Sequence, residues 1–128
     1  MAGSKGSKYY DIFLKYKIYL SQKENKEIID ESIFMLLLAI KNEKSLSNAS
    51  EKLGISYRKA WGDIIKAEQI LGFSFVERKR GGVKGGESWL TNEGDNMVNS
   101  YLKLTKQFDK AVSDITKEFF NSINKQTL

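Results

Sequence analysis

Four residues in the middle of the chain leave it few ways to fold: two serines that can start helices and two glycines that stop them. Ser45 or Ser47 can cap a helix over about 46–53, whose apolar residues Leu46, Ala49 and Leu53 recur at i, i+3 and i+7. That spacing gives one stripe to bury and leaves the other faces polar. Gly54 then supplies a tight turn, because glycine enters positive φ without a steric penalty. Ile55 is placed to plug the turn against a core. Ser56 can cap the next helix, about 56–71, and Gly72 ends it at the C′ position. Tyr57, Ala60, Ile64, Ala67 and Leu71 form the expected inner face of that helix.

The flanking segments turn this pair of helices into a helix-turn-helix with a wing. Upstream, Asp30-Glu31-Ser32 opens a helix over about 31–43, apolar on most sides through Ile33, Phe34, Met35, Leu36, Leu37, Leu38 and Ile40. Before it, Tyr10–Leu20 is rich in β-formers, which predicts a strand near 13–20, and a further short strand is expected at 26–29. Downstream, 74–78 and 87–91 read as paired strands. The eight residues between, Lys79 to Gly86, include four glycines and form a long hairpin tip. Thr91 or Asn92 then caps a long helix reaching about 120. Its residues Met97, Tyr101, Leu104, Phe108, Ala111 and Ile115 are spaced as a heptad seam. The predicted fold class is mainly α with a small β-sheet, a winged helix-turn-helix with a long C-terminal dimerisation helix. The expected organisation is a flexible arm at 1–11, the winged helix-turn-helix at 12–94, the dimerisation helix at 91–120 and a polar tail at 121–128.

Charge and composition narrow the function. The net charge is +5, and residues 56–86 hold seven basic residues against three acids. The excess therefore falls on the third helix and the hairpin, as neutralising a phosphate backbone requires. The plainer alternative is a solvated basic face. With no cysteine and no histidine, the chain has no thiol nucleophile, no imidazole and no ordinary zinc ligand set. Carboxylates, Lys, Tyr and Ser occur in no recognisable catalytic spacing, so no enzyme, cofactor or metal is expected. No apolar run reaches the roughly 18 residues needed to span a bilayer, and the first residues lack the apolar region of a secretory signal. The expected location is cytoplasmic.

Two constellations are expected to touch double-stranded DNA. On the third helix they are Ser56, Tyr57, Arg58, Lys59, Asp63 and Lys66. Arg58 suits bidentate contact with guanine, Lys59 suits guanine or phosphate, Asp63 can accept from cytosine, and Lys66 suits phosphate. On the wing they are Arg78, Lys79, Arg80, Gly81, Gly82 and Lys84, cations on a glycine-rich tip able to approach the backbone or an A·T-rich minor groove. That tip does not match a P-loop. Trp61 is open to two readings, packing against the wing or the first helix, or contact with a sugar or thymine methyl. The heptad helix would measure about 45 Å at 1.5 Å per residue, longer than the small domain before it, which favours a homodimer over self-coverage.

The run Ser45–Arg78, with Leu90-Thr91-x-x-Gly94, resembles the DNA-binding domain of LysR-type regulators. Ile55-Ser56-Tyr57-Arg58-Lys59-Ala60-Trp61 and Arg80-Gly81-Gly82-x-x-Gly85-Gly86 are similar to the ModE-type molybdate-responsive regulators, and the likeness covers about residues 12–120. It implies a homodimeric winged helix-turn-helix that binds operator DNA through Tyr57, Arg58, Lys59 and the wing cations. Members of that family carry C-terminal molybdate-binding domains. Here a polar tail, Asn121–Leu128, follows the long helix, so molybdate binding is expected to be absent from this chain. The competing expectations are a protein-interaction winged helix and an architectural DNA binder without sequence preference.

Overall fold

A computed structural model of the chain describes residues 6–23, 27–79 and 86–125. In order, the elements are β1 (Leu20–Ser21), β2 (Glu27–Ile29), α1 (Glu31–Glu43), α2 (Leu46–Leu53), α3 (Tyr57–Leu71), β3 (Val76–Lys79), β4 (Glu87–Leu90) and α4 (Asn92–Lys125). They form two compact units. One runs from Ile18 to Tyr101; the other joins the residues up to Lys17 with those from Leu102 onward. The first turns of α4 belong to the former unit and the rest of the helix to the latter.

Within residues 18–101, α1 is the centre of the core. Asp30 caps it, its Oδ1 accepting from Ile33 N at 3.0 Å, and Lys44 ends it in a left-handed conformation. Ile33, Phe34, Leu36, Leu37, Ala39 and Ile40 are buried on it, and Met35 and Leu38 pack partly against the same cluster. This is the all-round apolar helix that the sequence predicts. From α4, Val98 and Tyr101 complete the cluster, and the Tyr101 ring stacks on Phe34 with centroids 3.9 Å apart.

The joint between the hairpin and α4 explains the Leu-Thr-x-x-Gly pattern. Thr91 caps α4, its Oγ1 accepting from Gly94 N at 3.1 Å. The same hydroxyl donates to the Ser74 carbonyl at 2.7 Å, and Thr91 N donates to the Phe75 carbonyl at 2.9 Å. The first turn of α4 is thus pulled onto the strand entering the wing. Gly94 sits so close that a Cβ there would lie 2.3 Å from the Phe75 carbonyl oxygen.

Three expectations need correction. The strand predicted at 13–20 is reduced to Leu20–Ser21, paired antiparallel with β2. One of its aromatic residues serves another purpose: in the unit that joins the N-terminal segment to residues 102 onward, the Tyr16 ring stacks at 6.1 Å on Phe108, and its hydroxyl donates to Asp109. Tyr9, which falls in the segment expected to be a flexible arm, lies 6.2 Å from Phe120 in the same unit, so Tyr9 and Tyr16 both meet rings of α4. Local β-propensity has yielded to tertiary packing. Leu53, assigned to the buried stripe of α2, is exposed, because the chain turns at Gly54 and half-buried Ile55 meets the core instead. Tyr57, assigned to the inner face of α3, is 43% exposed.

Candidate nucleic-acid interface

The two helices of the motif are fixed by the caps their sequence promises. Ser45 Oγ accepts from Asn48 N at 3.1 Å, which selects Ser45 over Ser47 as the cap of α2. Gly54 closes α2 at φ 71°, and Ile55 N returns to the Ser50 carbonyl at 3.0 Å. Ser56 Oγ accepts from Lys59 N at 3.0 Å and starts α3. The buried face of α3 is Ala60, Ile64 and Ala67. Two alanines on that face let the helix approach the core closely and hold it as a rigid body.

The predicted contact residues divide: Arg58 stands opposite the buried face, Lys59, Asp63 and Lys66 lie on the flank that shares a groove with Glu27 and Asp30, and Tyr57 lies on the other flank, toward the hairpin. Ser56, Arg58, Lys59 and Lys66 are exposed. Asp63 does not stand alone as an acceptor, since Lys59 Nζ pairs with its Oδ2 at 3.1 Å, one helical turn apart. Arg58 has no ion-pair partner among the described residues.

The hairpin is in simple antiparallel register: Val76 faces Leu90, Glu77 faces Trp89, Arg78 faces Ser88 and Lys79 faces Glu87. Val76, Ser88 and Leu90 are buried, and so Arg78 shares the inward face while Glu77 and Lys79 share the outward one. On that outward face Trp89 Nε1 donates to Glu77 at 2.9 Å. On the inward face, the Arg78 guanidinium lies 3.8 Å from the Trp61 ring centroid, and its Nη1 donates to the Tyr57 hydroxyl. Trp61 therefore packs against the wing, the first of its two readings. Tyr57, Trp61, Arg78, Lys79, Ser47 and Ser88 are among the residues lining a groove of about 560 Å³ between the helices and the hairpin. Arg80, Gly81, Gly82 and Lys84 lie outside the described residues.

One positioning residue escaped the sequence reading. Glu68 Oε2 accepts from Phe75 N at 2.6 Å and from Val76 N at 3.2 Å, tethering the start of β3 to the last turns of α3. No local pattern marks it, because its partners are backbone groups seven and eight residues away.

The heptad positions divide. Met97 and Tyr101 pack into the core of their own unit. Leu104 is half-buried, Ala111 is exposed, and Phe108 and Ile115 are 42% and 55% exposed. Among the described residues no cluster of acids could hold a metal ion, and no helix is long and apolar enough to cross a membrane.

No family model matches the chain. Over 99 residues it is 32% identical to the DNA-binding transcriptional dual regulator ModE of Escherichia coli, covering 77% of this chain and 38% of that protein. It is 28% identical over 99 residues to the molybdenum-pterin-binding protein MopB of Rhodobacter capsulatus, covering 72% of this chain and 37% of MopB. The chain thus spans well under half the length of these relatives. Among solved structures, the DNA-binding domain of BenM in complex with catB site 1 DNA matches with a TM-score of 0.53 and 25% identity. That match covers 72% of this chain and 93% of the BenM domain. ArgP from Mycobacterium tuberculosis has the same fold at 18% identity and a TM-score of 0.53, over 68% of this chain and 31% of ArgP. Of these, ModE is a transcriptional regulator and the BenM match is a DNA-binding domain, neither of them an enzyme. In sequence the chain is ModE-like, and in fold it is a winged helix-turn-helix of the LysR type.

Proposed function

We propose that this chain is a sequence-specific DNA-binding module of a transcriptional regulator. It acts as a homodimer on a roughly palindromic operator, with α3 in the major groove and the wing on the backbone or in the minor groove. The observation that carries this reading is the first turn of α3: Arg58 and Lys59 stand exposed on a helix that is capped at Ser56 and anchored by a small-residue face. Base readout needs such side chains on a support that does not yield. The likeness to a domain whose structure was solved on DNA supports the same reading. Leu104, Phe108, Ala111 and Ile115 are the residues of α4 assigned to the dimer seam.

The decisive experiment is selection from a random duplex pool, followed by anisotropy titrations at two salt concentrations. An enriched palindrome bound about 10³-fold or more above random DNA is the expected result. Salt-sensitive binding without an enriched motif would make the protein an architectural binder. No binding at low salt would leave the protein-interaction reading standing.

Two substitutions separate the roles. Arg58→Ala is expected to relax preference at one position of each half-site, at about 1–3 kcal/mol, with other positions unchanged. Equal weakening on all sequences would show that Arg58 reads no base. Lys79→Ala is expected to weaken binding to every duplex and to flatten the slope of log K against log salt by about one. An unchanged slope would remove Lys79 from the phosphate contacts.

A further inference from the structure

We infer that Arg78, the first cation of the wing, is a positioning residue and not a phosphate contact. It locks the root of the hairpin to the reading end of α3. The inference rests on the DNA-binding reading above and adds to it how the two contacting elements are held in one geometry.

Three independent observations carry it. The first is register. Strand residues alternate faces, and Arg78 falls on the same face as Val76, opposite Ser88, which is 3% exposed. That face turns toward the helices, and its neighbours Glu77 and Lys79 fall on the other face of the ladder. The second is stacking. The guanidinium lies 3.8 Å from the Trp61 centroid, closer than the roughly 6 Å within which such a cation is attracted to a ring face. The third is a directed hydrogen bond from Nη1 to the hydroxyl of Tyr57, the first residue of α3. Glu77, the neighbouring acid, is held across the ladder by Trp89 and does not compete for the guanidinium.

The planar guanidinium is the chemistry this joint requires. It offers a flat face to an indole and in-plane donors to a phenol at the same time, which an ammonium cannot do. Arg78 thus pins two side chains one helical turn apart, at the end of α3 that carries Arg58 and Lys59, to the strand that carries Lys79. A wing and a recognition helix set at a wrong mutual angle would each reach DNA only by giving up contacts of the other.

The test compares R78A, R78K, W61F and W61L on the selected operator over a range of salt, with thermal midpoints of the DNA-free proteins alongside. R78A and R78K are both expected to bind roughly tenfold more weakly, a loss in the range of a stacked cation with one hydrogen bond. Their salt slopes should equal the wild-type slope, and R78K should give no rescue although it restores the charge. W61F keeps a ring face and should bind within about threefold of wild type. W61L should lose roughly tenfold, and the W61L/R78A double variant should be little worse than either single one, because both break one contact. A slope lowered by about one in R78A, with affinity restored by R78K, would make Arg78 an ordinary phosphate contact and overturn the inference. Additive losses in the double variant would overturn it as well. Should R78A melt below the assay temperature, R78K and W61L decide the matter alone. A wild-type protein that binds no duplex removes the DNA reading and this role with it, a failure visible before any variant is compared.

Discussion

Replacing Gly94 by alanine is expected to destabilise the protein by about 2–3 kcal/mol, in the upper range for forcing an extra methyl into a filled space. Two effects oppose each other. Within a helix, alanine is favoured over glycine by about 1 kcal/mol. Against that, the new Cβ would stand 2.3 Å from the Phe75 carbonyl oxygen and 3.2 Å from Leu90 Cβ. The nearer atom is backbone, already accepting from Thr91 N, and cannot swing aside as a side-chain end would. Relief requires α4 to lift from the wing root, which loosens the Thr91 bonds to Ser74 and Phe75. The thermal midpoint should fall by on the order of 10 °C. Gly62→Ala is the control: it is also helical, but nothing lies within 4 Å of its added Cβ, so it should leave stability unchanged or raise it slightly. If the two variants melted alike, the close approach at Gly94 would not exist in solution.

Phe34→Ala is expected to cost more, about 3–5 kcal/mol, as for other large aromatic truncations in a core. Phe34 is 4% exposed, and its ring lies against Tyr101 of α4, itself 8% exposed, at an interplanar angle of 11°. The substitution removes the stack and leaves a void at the centre of α1. Small domains are stable by only about 5–15 kcal/mol in total, so the variant should sit close to unfolding at room temperature. Urea denaturation followed by circular dichroism measures the loss, and Phe34→Leu, which refills part of the space, should recover about half of it. A loss under about 1 kcal/mol would mean that α4 does not complete the core of α1.

Local chemistry made most of the fold legible. Caps and stops are short-range devices, and Asp30, Ser45 or Ser47, Gly54, Ser56 and Gly72 marked the helix ends without reference to tertiary structure. The β-formers of residues 13–20 misled because propensity says only that a side chain suits a half-buried surface. For Tyr16 that surface is supplied by Phe108 of a helix 92 residues away in sequence, not by a neighbouring strand. Tyr57 misled for a related reason: at the first position of a helix the periodicity has no earlier turn to anchor it, and the hydroxyl follows Arg78. The candidate interface was legible as charge and glycine, but its internal wiring was not. Nothing in the order of residues announces that Arg78 faces Trp61 or that Glu68 receives two backbone amides from β3, whereas the i,i+4 spacing of Lys59 and Asp63 on a helix does announce their pairing. The heptad spacing did not separate core from surface: Met97 and Tyr101 go to the core of their own unit, while Phe108 and Ile115 are exposed.

The closure at the foot of the wing has a consequence for how this protein could diversify. Glu68 holds the entering strand at Phe75 and Val76, and Thr91 ties the exit back to Ser74 and Phe75. The ends of the hairpin are therefore fixed by bonds that owe nothing to what lies between Lys79 and Gly86. Lengthening a loop whose ends are already held adds only closure entropy, about 0.6 kcal/mol for a doubling of its length. Selection could rewrite the sequence and length of that stretch at little cost to folding and, on the DNA-binding reading proposed above, change what the hairpin contacts while the scaffold stays the same.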